Sequence, residues 1–560
     1  MDKRRLVHPR VLIGLVYLVL LAIGITGLEK PLAAEEEPLP AFEPGQIMVK
    51  LRPESRAQAD DIAARQGAIV IEDLTAGWYL FAVPNGQEQA ALTNLLTDER
   101  VVATELNYRI RSFMGLGLRR SALASVPTFR LQPNQLTGSA QPASATNDPQ
   151  FPAQWNLRRI RLASQYLDES SAWDYTTGSS SIIIAILSTG VDRDHPDLKD
   201  KLLPGYDFVN NDGDPNEDGM GLGTMEAGIA AAISNNHLGV AGASWGAKIL
   251  PVKVLNATTG GNYATVVKGI NYAVQQKANV INMSFAGYSS GYQAMQEAIN
   301  NAVSKGVLPI ASVGDKGAEP GQRPPYPAAL NGVLGVTATD RHNVRLPASG
   351  HGPFVDVAAP GEDIVGTYWE KENRGYALGI GSEFAAPQVS GIAALIYSMN
   401  PTLTVTEVAR IIKESALDLG PPGPDEDYGY GLVDALAGVM RTPHHLVLNR
   451  QFLLFNQIGN RIQPSQYTIT NTYTSAPTWV VTTTANWLMA SQPTFNVPST
   501  VTISITPGFE QGCDSRSAQA YVTSLMEQAV TRTILLNAVL RFNRPCPVRV
   551  YMPWMGRHQR

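Results

Sequence analysis

The sequence predicts an α/β fold, a doubly wound parallel sheet preceded by a small α+β module and followed by an antiparallel β-sandwich. Three observations carry this. Between residues 148 and 440, near-continuous apolar runs ("IIIAIL", "KILPVKVL", "NVINMSF", "VLPIASV", "VLGVTA") alternate with helical stretches ("ATVVKGINYAVQQ", "YQAMQEAINNAVSKG"). Strands buried on both faces and separated by helices are the mark of a parallel sheet. Before that region, residues 43–111 show short strands and helices in the order βαββαβ, a ferredoxin-like pattern. After it, residues 443–552 turn to Thr-rich alternation ("SQYTITNTYTSAPTWVVTTTANWLMAS", "STVTISITPG", "TRTILLNAVLRF"), the texture of a β-sandwich.

The N-terminus opens with Lys3, Arg4 and Arg5, followed by an uncharged apolar run from Val11 to Leu28. A basic flank before such a run is an export signal. Residues 1–34 are expected to be a cleaved signal peptide, with a retained membrane anchor as the alternative, and the rest of the chain to be extracellular or at the cell surface. Within the α+β module the predicted elements are "QIMVKL", a helix around Glu54 to Gln66, "AIVIED", "WYLFAV", a helix in "GQEQAALTNLLTDE", and "VVATELNYRI". Residues 112–147, rich in Ser, Pro, Gln and Gly, read as an exposed linker.

Composition narrows the function classes. Of the 560 residues 44% are hydrophobic and 17% charged, with a formal net charge of −5, which describes a globular chain. No Lys/Arg tract lies beyond the N-terminus, so no nucleic-acid partner is expected. The two cysteines, Cys513 and Cys546, are expected to form a disulfide in an exported protein.

The motifs of the middle region follow one order: "IAILSTGVDRDHPDL" from Ile184, "GLGTMEAGIAAAISNNHLGVAGASW" from Gly221, "INMSFAG" from Ile281, "ASVGDKG" from Ala311 and "GIGSEFAAPQVSGIAALI" from Gly379. In order and spacing they resemble the subtilase (subtilisin-like serine peptidase) family, and the βαββαβ module resembles that family's inhibitory propeptide. The resemblance implies a triad of Asp, His and Ser, in which an imidazole held by a carboxylate takes the nucleophile's proton. Here Ser188 stands in the Asp slot, Leu222 in the His slot and Glu383 in the Ser slot, and Asp315 replaces the oxyanion-hole Asn. His195, His237, His342 and His351 are elsewhere. The expectation is therefore an inactive homologue, not an enzyme, that binds a peptide or protein ligand in the former substrate cleft. That cleft is assigned to Ser284, Phe285, Ala286 and Gly287 with Ala311, Ser312, Val313 and Gly314.

Its own propeptide is the other expected partner, staying covalently joined with "NYRIRSF" in the cleft because no self-cut is made. Glu383 is expected at a helix start capped by Ser382, where the helix dipole favours a carboxylate. The alternative to inactivity is a peptidase with unorthodox residues, serine-type or a carboxylate hydrolase. Glu226 lies one helical turn after Leu222, so Glu226, Asp315 and Glu383 could converge; the related sedolisins use Glu and Asp in similar places. Finally, Asp207, Asn210, Asp212, Asp214 and Asn216 resemble a calcium loop of thermophilic subtilases, and hard oxygen ligands on such a loop suit calcium.

Overall fold

The computed structural model describes residues 42–110, residues 146–442 with short interruptions, and strand segments between 452 and 541. The signal segment, most of the linker and both cysteines lie outside the described residues. No helix among the described residues is long and apolar enough to cross a membrane.

The first module is β1 (Phe42–Leu51), α1 (Ala59–Ala64), β2 (Ile69–Thr75), β3 (Trp78–Ala82), α2 (Glu88–Leu95) and β4 (Val101–Ile110). Its strands lie in the order β2-β3-β1-β4, every pair antiparallel. Alternation sends Ile47, Val49 and Leu51 to one face, where they pack with Ile62, Phe81, Leu92 and Leu95. Met48, Leu74, Trp78 and Leu80 point to the other face and join the core of the middle domain.

That domain contains β5 (Ile183–Ser188), β6 (Tyr206–Asp207), α3 (Leu222–Ala231), β7 (Lys248–Lys253), β8 (Gly261–Asn262), α4 (Tyr263–Gln275), β9 (Val280–Met283), α5 (Gln293–Ser304), β10 (Leu308–Ser312), β11 (Leu334–Thr339) and β12 (Val357–Pro360). The hairpin β13 (Ile364–Glu370) and β14 (Asn373–Gly379) follows, then α6 (Ser382–Met399), α7 (Val405–Ser415) and α8 (Ala435–Arg441). Seven strands form one sheet in the order β12-β11-β10-β9-β5-β7-β6, all pairs parallel. One core cluster includes Ile184, Ile186, Val280, Ile310, Val336 and α6; the other includes Ala185, Leu187, Val252, Ile281, Met283, α4 and α5. Consecutive residues of one strand thus serve opposite layers, which is why these strands are apolar throughout.

The C-terminal part consists of β15 (Phe452–Ile458), β16 (Arg461–Gln463), β17 (Gln466–Asn471), β18 (Thr478–Thr483), β19 (Leu488–Ala490), β20 (Thr494–Phe495), β21 (Ser499–Ile505), β22 (Arg516–Leu525) and β23 (Arg532–Arg541). They form sheets of six and three strands. Pairing is antiparallel save for β15 with β23, which run parallel. This departs from the all-antiparallel expectation: the first and last strands of the module enter side by side in the same direction.

Polar contacts also join the α+β module to the middle domain. Arg109 and Ile110 of β4 pair antiparallel with Asn262 and Gly261 of β8. Glu72 meets Lys268 at 2.7 Å, and Lys50 pairs with Glu297. The carboxyl of Glu105 accepts from the backbone N–H groups of Gln293 (3.0 Å) and Ala294 (3.2 Å), satisfying two donors in the first turn of α5. Burial pushes the Glu105 carboxyl up to about 7, against the two amides that favour its charge, with Glu297 adding to the rise. Glu105→Ala leaves both amides without this acceptor and should cost about 1–3 kcal/mol, read as faster hydrogen exchange at Gln293 and Ala294. Unchanged protection there would show that the contact contributes nothing.

Candidate active site

Three strands of the parallel sheet and two helix starts deliver the site. Ser188 ends β5, Asn282 lies in β9, and Asp315 follows the end of β10. Helix α3 begins at Leu222 and α6 at Ser382. The first turns of these helices meet through Leu222, Met225 and Phe384, which with Ile229 and Ile364 form a small apolar cluster. Leu222 is therefore a packing residue. Its predecessor Gly221 has φ +70 and sits against Trp369 O and the Tyr368 ring, so a side chain there would be both strained and obstructed.

Glu383 is 2% exposed and Asp315 7%, which places both outside bulk water. The two carboxyls face each other in hydrogen-bonding contact, and a Cβ built on Gly381 (φ +140) would strike Asp315 Oδ2 and Glu383 Oε2 alike. Glycine at 381 is what allows the pair to close. Both Asp315 oxygens accept from Ser382 N, at 3.0 and 3.1 Å. Burial first, then the negative charge of Asp315, raises the Glu383 carboxyl well above its ordinary value, and Glu226 adds to the rise. Two carboxyls in contact and away from water cannot both ionise, so they share one proton. Glu383 Oε1 has no hydrogen-bond partner among the described residues, nor have the buried Ser382 Oγ and Ser312 Oγ. The Tyr288 phenol is pushed up by burial and by the charges of Asp315 and Glu383, which places it beside the pair.

Glu226 is fully buried. It accepts from Ser188 Oγ at 3.1 Å and from Asn282 Nδ2 at 3.2 Å, and burial, reinforced by Glu217, raises it well above the usual carboxylate range. The carboxyl that the Asp slot lacks is thus supplied one layer away, from α3, and bonded to the serine that occupies the slot. Of the three carboxyls expected to converge, Asp315 and Glu383 are in contact, while Glu226 bonds to Ser188 and Asn282 instead.

Other expectations are corrected. The residue capping α6 is Gly381 rather than Ser382, whose hydroxyl caps nothing. Glu383 is not held as a carboxylate by the helix dipole: burial and Asp315 outweigh that attraction and keep it protonated. Of the cleft residues, Ser284 and Phe285 are fully buried and Ala286 nearly so. Ser284 Oγ accepts from Asn282 Nδ2 at 3.0 Å. Gly287 has its N–H and C=O engaged by Tyr326 O and N, both at 2.8 Å, so it offers no free strand edge. A Cβ at Gly287 would lie 3.2 Å from Ile110 Cγ1, so the end of β4 lies over this segment. Ala311, Ser312, Val313 and Gly314 run buried to Asp315. His195 lies in the core, with Nε2 2.9 Å from Gly375 O and its ring edge-on to Tyr376.

The loop expected to hold calcium is present but not gathered. Asp207 Oδ1 accepts from Val209 N and Asn210 N and its Oδ2 from Asn210 Nδ2, and Oδ2 forms an ion pair at 3.7 Å with the buried Lys253 ammonium. Asp212 and Asp214 accept from the backbone two residues on, Asp214 also pairs with Arg193, and Asn216 accepts from Arg193 N. A lysine therefore already neutralises Asp207, and among the described residues no group of three acidic, His or Cys side chains is arranged to hold a metal. As arranged, these residues do not fit the ion.

The sequence reading missed Asn282, Ser390 and Tyr288. Tyr288 directly follows the cleft motif and was within reach; Asn282 and Ser390 look like ordinary strand and helix residues until the fold brings Ser390 Oγ within 2.9 Å of Asn282 Oδ1.

Comparison with known proteins places this geometry. The family model described as "Subtilase family" matches residues 179–431. Thermitase of Thermoactinomyces vulgaris is 40% identical over 252 residues, covering 45% of this chain and 85% of that protein. The thermophilic serine proteinase of Bacillus sp. (strain AK1) is 36% identical over 299 residues, 53% of this chain and 72% of that one. Fervidolysin from Fervidobacterium pennivorans, a keratinolytic enzyme related to subtilisin, shares the fold with a TM-score of 0.62 at 21% identity, over 90% of this chain and 78% of its own. These findings overturn the expectation of a chain that is not an enzyme, since its sequence relatives include a named serine proteinase at substantial identity. The expectation that the first module stays joined for want of a self-cut loses its premise with it.

Proposed function

The chain belongs to the subtilase family, whose members matched here include serine proteinases, and from that premise we propose that it hydrolyses peptide bonds with the carboxyl pair Glu383–Asp315. The observation that supports this is the contact of two buried carboxyls, Asp315 just past the end of the parallel strand β10 and Glu383 in the first turn of α6. One carries the proton and the other the charge, which is what an acid–base pair requires.

The chemistry follows from which group holds the proton. Asp315, ionised, takes a proton from a water molecule as its oxygen bonds to the substrate carbonyl carbon. Protonated Glu383 donates to the carbonyl oxygen, giving a neutral tetrahedral diol. Return of a proton to the amide nitrogen breaks the C–N bond and releases an acid and an amine. No covalent intermediate forms on the protein. Activity needs Glu383 protonated, so it is lost as pH rises through the Glu383 titration. Incubating the full chain with a pool of unstructured peptides between pH 4 and 9, and sequencing the products by mass spectrometry, tests this. Cleavage strongest on the acid side is expected; intact peptides at every pH would end the proposal.

Export belongs to the same proposal and is supported by the basic N-terminus and the apolar run to Leu28. A calcium ion at residues 207–216 is not part of it, because Lys253 already pairs with Asp207. Adding calcium to chelator-treated protein should leave its melting curve unchanged; a raised melting temperature would return the ion to the account.

A further inference from the structure

Ser382 and Glu383 open α6, and both are buried, at 0% and 2% exposure. Each clasps Asp315 with one polar group. The Ser382 amide donates to both Asp315 oxygens, at 3.0 and 3.1 Å, and Glu383 Oε2 lies with Asp315 Oδ2 against Gly381. Each also keeps one polar atom turned elsewhere: Ser382 Oγ and Glu383 Oε1, on consecutive residues, have no hydrogen-bond partner among the described residues. Buried polar atoms in folded proteins are bonded, to protein or to an oxygen-bearing molecule, and two such atoms on neighbouring residues suit one oxygen that satisfies both. The chemistry of the two atoms narrows what that oxygen is. Because Oε1 has no partner, the contact of Glu383 with Asp315 is made through Oε2, and the shared proton lies there. Oε1 is therefore a carbonyl-type acceptor that needs a donor, whereas the Ser382 hydroxyl can donate. A peptide carbonyl oxygen has no proton to offer Oε1; a water molecule both donates and accepts.

We propose that Ser382 is a further catalytic residue, whose hydroxyl together with Glu383 Oε1 holds the water molecule that attacks the substrate carbonyl. The inference rests on the carboxyl-pair reading of the site and deepens it by naming what orients the nucleophile. Ser382 Oγ–H donates a hydrogen bond to the water oxygen, and the water donates one to Glu383 Oε1. Its other proton faces Asp315, which the amide of the same serine holds in place. One lone pair of the water is left to face the substrate, an orientation fixed before reaction. In the step itself the water oxygen bonds to the carbonyl carbon, its proton passes to Asp315, and the proton at Glu383 Oε2 passes to the carbonyl oxygen. The product is the neutral diol, and Ser382 keeps its own proton throughout.

Two readouts on the full chain separate this inference from the reading beneath it. In a crystal structure at pH 5, one ordered water should lie within hydrogen-bonding distance of Ser382 Oγ and Glu383 Oε1. Ser382→Ala, which keeps the amide that Asp315 holds, should lose it. In peptide hydrolysis the same variant should lower kcat about 10²-fold with KM little changed, the size of effect expected when a reacting group is misplaced. Ser382→Thr, which restores a hydroxyl, should recover most of the rate. The hydroxyl bonds to nothing among the described residues, so its removal should not disturb folding; if it does, the crystal structure of the unmodified chain decides. Undiminished kcat in Ser382→Ala, or a Ser382 hydroxyl that carries no water, overturns the inference and leaves the carboxyl pair standing. A chain that holds this water yet cleaves no peptide supports the contact and removes the hydrolytic reading alone.

Discussion

Replacing Glu383 by glutamine lowers kcat/KM for peptide hydrolysis by about 10²- to 10⁴-fold, the range for losing one general acid or base. The fold should survive, because glutamine is the neutral isostere of the protonated side chain that burial already enforces. Asp315→Asn should act with similar force, since asparagine still accepts from Ser382 N but takes no proton from water. The double variant should be little worse than either single one, as members of a catalytic unit do not add. Glu383→Ser should not exchange one chemistry for another: Leu222 is packed against Met225 and Phe384 and supplies no base. For the same reason fluorophosphonate probes should leave the unmodified protein unlabelled. Undiminished hydrolysis by Glu383→Gln, measured on protein with an unchanged circular dichroism spectrum, would refute the carboxyl-pair mechanism.

Stability should fall as pH rises, opposite to a protein held together by surface carboxylates. Glu226, Glu383 and Glu105 all have carboxyls raised by burial in the folded chain, Glu105 to about 7. A raised carboxyl binds more protons folded than unfolded. Its contribution is therefore complete below the ordinary carboxylate value and is lost as pH climbs from there through the folded value. Glu105 alone corresponds to roughly 3 kcal/mol over that window. Calorimetry on the full chain should show a melting temperature higher at pH 5 than at pH 9 by roughly 5–10 °C. Glu226→Gln and Glu383→Gln should each flatten that slope. A melting temperature that rises over the same interval would show that these carboxyls are not neutral in the folded protein.

The sequence by itself determined the architecture and the identities at the site. Runs such as "IIIAIL" and "VLPIASV" admit only strands buried on both faces, and the βαββαβ order of residues 42–110 returned as a four-stranded antiparallel sheet. The positions of Ser188, Leu222, Asp315 and Glu383 were legible because motif spacing fixes which strand end or helix start each occupies. Tertiary structure decided what those residues do there. A carboxylate at a helix start is ordinarily favoured in its charged form, and only the approach of Asp315 across Gly381, with water shut out, reverses that preference. Likewise, five oxygen-bearing side chains between residues 207 and 216 look like a cation site until Lys253, from a neighbouring strand, is found at Asp207. Charge state depends on distance and burial, and both are set by residues far apart in the chain. That is why the order of elements could be read from the sequence alone while the protonation of the site could not.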